Sequence, residues 1–431
     1  MLRFFNAYVL FPLLEKKSKR QIAPKLAELK RFEKLTRDEQ ELLRRKELHR
    51  SLVHARETVP YYAEVFRAKA FDPDRVLTDI RFIQDLPILT KEIVRENTER
   101  LRLPGAHHVR KTGGSTGQSV FFYYDDVGLD WTSAINSRAY EMAGNYPHRR
   151  DSHISSELGI TPPTGKAKLL DWLKLTSQNR TRVMIRSFSD SDLRASFDEL
   201  NARRPYLLQG HPSSGYALAD YVERHGLQGP RYCGVFEPSG ETLTPKMADS
   251  MSRNLRCRVT NRYGNAEFGV MAHSRATDSF ETLQVFNRAF YMEPTQKGNL
   301  IVSTWTNGSF PLFRYDTGDI GTVTEGADGS ILTDLQGRIH DMVRIAGEDY
   351  ATHYIMDYLD HKIRRVREFQ ILVQPSAEPV LCIVAEEESD RPRIRRELEI
   401  RWPQGLQIQF INMDELRRVG WQKKFRHVID I

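Results

Sequence analysis

Four stretches of the chain combine residue types and spacings suited to handling a phosphate ester. Thr112-Gly-Gly-Ser-Thr-Gly-Gln-Ser119 is the densest. Its glycines let the backbone approach an anion and turn N–H groups towards it, and its hydroxyls add donors. The same composition also makes an ordinary hairpin turn. A Walker-type loop needs Lys where Gln118 stands and a helix after it, yet Ser119-Val-Phe-Phe-Tyr-Tyr124 reads as a strand. Further on, Asn261-Arg-Tyr-Gly-Asn-Ala-Glu-Phe-Gly269 sets Tyr263 and Glu267 either side of a glycine-containing turn. An aromatic there suits a purine face, and a carboxylate suits Mg²⁺ against phosphate oxygens. Arg314-Tyr-Asp-Thr-Gly-Asp319 lies between strand-like runs at 299–305 and 320–324, where an Asp can accept from two ribose hydroxyls. Gly337-Arg-Ile-His-Asp341 brings Arg338 and Asp341 to a point where the pattern changes character. Taken singly, each of these is equally an Asp-Gly or Gly-rich turn.

Other reactive residues carry less information. The histidines, His107-His108 included, show no H-E-x-x-H spacing, and Cys233, Cys257 and Cys382 have no metal-ligand spacing. The three cysteines also exclude a disulfide scaffold and fit a reduced, cytoplasmic setting. His211, in Gln209-Gly-His-Pro-Ser-Ser-Gly-Tyr216, could face a carboxylate or simply pack. Arg182 and Arg186 could meet an acidic substrate but read first as surface arginines.

The elements that must hold these residues follow from pattern and length. A chain of 431 residues has room for two or three domains. Thr36-Arg-Asp-Glu39 has capping-box spacing and predicts a helix running to Glu57, ended by Val59-Pro60. Thr90 predicts another N-cap, before a helix over 91–100. Beyond 340 the pattern reads as a separate α/β unit: a helix over 348–364, strands over 369–373 and 380–385, a helix near 391–401 and a strand over 407–411.

Charge is unevenly spread. The total is 64 Lys and Arg against 57 Asp and Glu, a net +7. Residues 1–50 hold 14 basic and 7 acidic residues, 51–340 hold 35 and 34, and 341–431 hold 15 and 16. A near-neutral body argues against nucleic-acid binding. Met1–Leu14 is apolar and aromatic and precedes Glu-Lys-Lys-Ser-Lys-Arg20. With one Arg before the run and no small-residue cleavage site, it does not read as a secretory signal. It fits either a terminal helix docked on its own domain or a peripheral contact of residues 1–20 with anionic lipid.

In order and spacing the four stretches resemble the adenylate-forming superfamily of acyl-CoA synthetases, adenylation domains and luciferases. Thr112–Gly117 resembles its [ST]-[SG]-G-[ST]-T-G loop, Tyr263–Glu267 its Y-G-x-T-E, Thr317–Asp319 its T-G-D, and Gly337–Asp341 its G-R-x-x-D hinge. Val59-Pro-Tyr-Tyr62, Leu86-Pro-Ile-Leu-Thr-Lys91, Ser239-Gly-Glu-Thr-Leu243, Arg262-Tyr-Gly264 and the late Lys-Phe-Arg-His-Val428 point to the CapK and phenylacetate–CoA ligase branch. The resemblance runs from about Leu48 onwards. Ala266 stands where Thr is usual. Lys423 stands where Gly normally precedes the family's late lysine, so Lys424 is the better match and Lys423 the alternative.

The resemblance implies a large ATP- and substrate-binding domain over 1–340, with 1–50 a basic helical head, and a small mobile α/β lid over 341–431. It implies ATP and Mg²⁺, a small-molecule carboxylate, and a thiol such as CoA or an amine as acceptor, in a setting such as cell-surface polysaccharide or secondary-metabolite biosynthesis. In the implied roles, Thr112, Gly113, Gly114, Ser115, Thr116 and Gly117 cradle phosphate, and Ser239, Gly240, Glu241, Tyr263, Gly264 and Asn265 border the nucleotide. Asp319 and Arg338 hold ribose, Glu267 holds Mg²⁺, His211 sits on the substrate side, and Lys424 bridges carboxylate and α-phosphate as the lid turns about Asp341. A catalytically degenerate relative that binds nucleotide or tethers a biosynthetic complex at the membrane is the alternative.

Overall fold

The computed structural model describes residues 2–111, 120–156, 164–185, 188–275, 278–336, 342–374, 377–412, 415–419, 424–425 and 427–431. The capping box forms as the spacing requires: Thr36 accepts from Glu39 N, the Glu39 carboxylate accepts from Thr36 N at 2.8 Å, and the helix Arg37–Thr58 follows. Thr90 likewise accepts from Ile93 N. The helix it starts is interrupted at Asn97, giving Lys91–Glu96 and Thr98–Leu101 in place of one run to 100.

Two sheets frame the cleft, with a small antiparallel pair beside them. Strands β1 (His108–Lys111) and β2 (Phe121–Tyr124) pair antiparallel, Lys111 opposite Phe121. The glycine-rich residues 112–119 that join them lie outside the described residues. Five strands, β3 (Asp151–Ser156), β4 (Arg180–Ile185), β5 (Leu207–Gly210), β6 (Val235–Pro238) and β7 (Arg258–Val259), form a parallel sheet in the order β4-β3-β5-β6-β7. Seven more form an antiparallel sheet: β8 (Arg262–Asn265), β9 (Gly269–Ser274), β10 (Leu283–Val285), β11 (Phe290–Met292), β12 (Thr295–Thr304), β13 (Tyr315–Gly326) and β14 (Gly329–Gln336). Arg314–Asp319 was expected between strands, yet Tyr315–Asp319 lies inside β13. A register shift opposite Asn299 and Ile301 absorbs this segment.

The parallel sheet has two unlike faces. Side chains alternate along a strand, so neighbours in register share a face. Ile154, Val183, Leu208 and Phe236 point to one side and join the helices 190–203, 212–224 and 245–254 in a continuous apolar core. On the other side Arg182, His153, Gln209 and Glu237 stand in register across β4, β3, β5 and β6. Fully covered parallel strands are normally apolar on both faces. This one carries a polar rung instead.

After 341 the chain folds much as its pattern reads, with two exceptions, a hairpin at 342–351 and the short strands after 411, where Lys424–Phe425 was read as loop. Strands β15 (Met342–Ile345) and β16 (Glu348–Ala351) make a hairpin, so the expected helix over 348–364 begins only at Thr352. The cause is the two-residue turn Ala346-Gly347, both at positive φ (51° and 86°), which returns the chain on itself. The remaining strands are β17 (Val366–Val373), β18 (Val380–Ala385), β19 (Gln407–Phe410), β20 (Arg418–Val419), β21 (Lys424–Phe425) and β22 (Val428–Asp430), with the helix Arg391–Arg401 as expected. β19-β18-β17-β22 form one sheet. Contact with the parallel-sheet region runs through Tyr354, whose hydroxyl lies 2.7 Å from that of Ser214, and through Phe188 N, which donates to Asp349 O.

Candidate functional site

A cleft of about 470 Å³ opens where the helix Asp126–Met142, the end of β6 and the β8–β9 hairpin meet. The helix is clamped from outside. Asp130 pairs with Arg20 and accepts from Gln21 N at 2.7 Å, Glu33 takes a bidentate grip from Arg138, and the Trp131 ring lies between Lys25 and Arg288. Its inner face thus presents Thr132, Ser133 and Asn136 to the cleft.

The β8–β9 hairpin supplies the opposite wall. Gly264, Asn265 and Ala266 line the cleft, Asn265 Oδ1 accepting from Phe268 N at 3.0 Å to close the turn. Tyr124 holds the turn from β2, its hydroxyl donating to Ala266 O at 3.1 Å and to Glu267 O. Tyr263 is buried, and its hydroxyl donates to Asp319 Oδ2 at 2.9 Å. Glu267 is 8% exposed and accepts from the Tyr315 hydroxyl at 3.1 Å. Burial raises the Glu267 carboxyl above the usual range by more than its own backbone N–H, Tyr315 and Lys91 lower it, and Asp319 adds to the rise. Tyr263 and Glu267, four residues apart, are therefore joined by the distant Asp319 behind the turn that walls the cleft.

The floor is the polar rung. Arg262 Nη1 donates to Glu237 Oε1 at 3.0 Å and to Asn136 Oδ1 at 3.1 Å, and His273 Nε2 lies 3.2 Å from Glu237 Oε2. Burial alone would raise Glu237, but His273 and Arg262 outweigh it and hold the carboxyl below its ordinary value. Gln209 satisfies its surroundings in one amide orientation, its oxygen accepting from Arg262 at 2.7 and 2.8 Å and its nitrogen donating to His153 Nε2 and the Tyr140 oxygen. Arg180 grips Asp151 at 3.0 and 2.9 Å and donates to the Tyr140 hydroxyl. Burial and then Arg180, Arg262 and Arg182 push the His153 imidazole well below its usual value, leaving it neutral near pH 7.

The remaining expected residues fall as follows. Ser239 and Gly240 line the cleft, Gly240 at φ +78°, where a Cβ would lie 2.7 Å from His211 Cε1. Glu241 is turned away to the helix Pro212–Arg224, accepting from Ser213 N and Ser213 Oγ at 2.9 Å and so satisfying its first turn. His211 is the N-cap residue of that helix, 3.8 Å from Glu241. Thr112–Gly117, Arg338, Asp341 and Lys423 lie outside the described residues. The Lys424 backbone forms β21 opposite Val419, and its side chain lies outside what is described. Arg182, read as a surface arginine, is half-buried in a bidentate pair with Asp171 at 3.1 Å. No metal spacing was expected among the histidines, yet His107, His108 and Asp126 bring three ligand-type atoms within 4.8 Å at the surface. With His108 2.8 Å from Asp126, this is an exposed ion pair beside a second histidine.

Sequence reasoning missed four contributors. Tyr124 and Tyr315 orient the Glu267 turn, and Arg110 and Arg262 bring cations to the cleft. Of these, Arg262 had a signal in Arg262-Tyr-Gly264, and a fifth contributor, Lys91, had one in Leu86–Lys91. That segment is tied to β13 by hydrogen bonds between Leu89 and the backbone of Arg314 and Asp316.

No protein-family model matches the chain. It is 24% identical to Protein CapK of Staphylococcus aureus over 270 residues, 60% of this chain and 58% of CapK, so the match spans less than two thirds of that protein. It is 26% identical to the phenylacetate-coenzyme A ligase of Escherichia coli over 337 residues, 72% of this chain and 74% of the ligase. Among solved structures, 2-hydroxyisobutyryl-CoA ligase in complex with 2-HIB-AMP and CoA in the thioesterification state superposes with a TM-score of 0.60 at 18% identity. That superposition covers 93% of this chain and 91% of the other. The same ligase in its postadenylation state gives a TM-score of 0.57. The fold is that of the adenylate-forming CoA ligases, and the chain is a homologue of CapK and of phenylacetate-coenzyme A ligases.

Proposed function

We propose that this homologue of CapK and the phenylacetate-coenzyme A ligases activates a carboxylic acid with ATP and passes the acyl group to a thiol or amine. In the first half the carboxylate oxygen attacks the α-phosphorus, the bond to the β-phosphate bridging oxygen breaks, and acyl-adenylate and pyrophosphate result. In the second the acceptor attacks the acyl carbon, AMP leaves, and the acceptor's proton is lost. The nucleophile is already ionised at pH 7, so the barrier is the approach of two anions, a problem of charge neutralisation and alignment.

One observation carries this reading: Tyr263, Glu267 and Asp319 cluster behind the turn Gly264–Ala266, which walls a cleft also lined by Ser239 and Gly240. Glu267 suits Mg²⁺, because a buried carboxylate raised by desolvation, beside a second carboxylate, gains from a cation. When bound, that ion supplies charge neutralisation to the phosphates. Tyr124 and Tyr315 fix the Glu267 backbone and carboxylate, and the floor ion pairs keep Arg262 in place. Lys424, on a lid turning about Asp341 with the boundary at 340/341, is the proposed cation for the α-phosphate; Thr112–Gly117 is the proposed phosphate loop and Arg338 a ribose contact. The CoA bound by 2-hydroxyisobutyryl-CoA ligase supports a thioester product. A role in cell-surface polysaccharide biosynthesis rests on the CapK likeness alone. The test is pyrophosphate release from ATP with acids crossed against CoA and amines. Acid-dependent release is expected, and folded protein that neither binds ATP nor releases pyrophosphate with any acid contradicts the reading.

Among the described residues no helix is long and apolar enough to cross a membrane. The head, helical over 2–17, docks by one face through Asn6 on Asn179 and Phe4 on His148. It leaves Leu2, Phe5, Val9 and Leu13 exposed, and the neighbouring helix Gly165–Ser177 exposes Leu169, Leu170 and Trp172. Lys16, Lys17, Lys19, Lys166, Lys168 and Lys174 have no carboxylate within ion-pair distance among the described residues. Apolar side chains ringed by cations fit an anionic lipid surface, and peripheral contact there is our reading of the head. Deleting residues 1–20 should abolish sedimentation with phosphatidylcholine–phosphatidylglycerol vesicles. Full sedimentation of the folded truncation contradicts it.

A further inference from the structure

Arg110 and Arg262 line the cleft, Arg180 and Arg182 stand with Arg262 around His153, and three of these four arginines have a carboxylate. Arg180 holds Asp151, Arg182 holds Asp171, and Arg262 holds Glu237. Arg110, on β1, is the fourth. It lines the cleft, stacks over the Tyr124 ring at 4.6 Å and donates to Thr132 Oγ1 at 3.2 Å. Among the described residues no carboxylate lies within ion-pair distance of it.

A second observation is independent of charge. Asn265 borders the same cleft, and its Nδ2 is buried without a hydrogen-bond partner among the described residues, although its Oδ1 is committed to Phe268 N. A buried amide N–H left unmade is costly, and such groups ordinarily find a partner. Among the described residues, Ala266 and Val270 are the apolar side chains that line the cleft, and no aromatic ring does. Pockets for apolar acids are lined mainly by hydrophobic and aromatic groups.

We propose that the acid activated by this protein carries a second oxyanion group, a carboxylate or phosphonate-type anion, seated between Arg110 and Asn265. This rests on the ligase reading and narrows it to a substrate class. The planar guanidinium, steadied by Tyr124 and Thr132, offers the paired donors that such a group matches. The paired arginines cannot substitute for it, because each already has its carboxylate. An acid with an apolar tail would leave Arg110 and the Asn265 amide desolvated and unmatched, which is how a polar site rejects an apolar analogue.

Two oxyanions could reach Arg110: the tail of the acid, or a phosphate of ATP. Pyrophosphate release separates them, with adipate, glutarate and 3-phosphonopropionate set against hexanoate and phenylacetate, in the wild type and in Arg110→Met. The expected result is a higher kcat/KM for at least one dianionic acid. In Arg110→Met that value should fall about 10- to 100-fold, as for loss of a charged hydrogen bond, while hexanoate changes little. Preference for hexanoate or phenylacetate overturns the proposal. So does an equal fall for every acid with a raised KM for ATP, since Arg110 then serves the nucleotide. Calorimetric binding of the same acids, without ATP, keeps the two readings apart. Adipate or phosphonopropionate binding that Arg110→Met abolishes, with no turnover of any acid, contradicts the ligase reading and supports the anion site. Equal binding of hexanoate and adipate overturns the anion site whatever the turnover.

Discussion

The floor and the edge of the cleft each bury a glutamate, and the protein treats them in opposite ways. Glu237, at the floor, is fully buried but answered on both oxygens by Arg262 and His273, and its carboxyl is held low. Glu267, at the edge, is almost as buried but is met by neutral donors, its own backbone N–H and the Tyr315 hydroxyl, with the Lys91 charge opposed by Asp319, and burial pushes it up. A carboxylate matched within the protein holds structure together. One left under-compensated is poised for a cation from outside. Burial alone does not separate structural from functional charges; whether the partners in contact carry the opposite charge does.

The largest expected effect lies at the floor. Glu237→Ala leaves Arg262 and His273 without their shared carboxylate and should cost about 3–5 kcal/mol of stability, read by urea unfolding. A cost near zero would break the distinction. At the edge, Glu267→Gln should lower the pyrophosphate-release rate about 100- to 1,000-fold while leaving stability unchanged or slightly higher. Parallel losses of rate and stability would make Glu267 another structural charge.

Titration sharpens the contrast. Folding favours the protonated form of Glu267, so its contribution is complete below the ordinary carboxylate value and is lost as pH rises through the raised one. Folding favours the ionised form of Glu237, so its contribution is present above the ordinary value and is lost as pH falls through the lowered one. Stability measured against pH should therefore diverge in opposite senses. Relative to wild type, Glu267→Gln gains as pH rises from the acid side, and Glu237→Gln loses most at neutral pH. Identical pH profiles would contradict both assignments. Smallest is the helix start far from the cleft, where Thr36→Ala should cost about 1 kcal/mol and leave turnover untouched.

How much of this was legible in the sequence depends on the distance over which a feature is encoded. Thr36–Glu39 was readable because a capping box is written in four neighbouring residues. The strands at 369–373, 380–385 and 407–411 were readable because the pattern is local: mainly apolar runs in the first two and Gln-Ile-Gln-Phe alternation in the third. The hairpin at Ala346-Gly347 was misread as a helix start, since two positive-φ residues outweighed the pattern after them. The motifs around Tyr263 and Asp319 showed local chemistry, yet the bond between them needs the β13 irregularity. The polar rung was not legible at all. Arg182, His153, Gln209 and Glu237 come from four separate strands, and only the register of a parallel sheet sets them side by side.

The central claim is that the cleft activates a carboxylate through its adenylate. Carboxylate-dependent exchange of labelled pyrophosphate into ATP measures that half-reaction without any acceptor. The account predicts exchange that needs the acid and divalent cation and falls at least 100-fold in Glu267→Gln. Exchange that is absent across mono- and dianionic acids in folded protein, or undiminished in that variant, would contradict it.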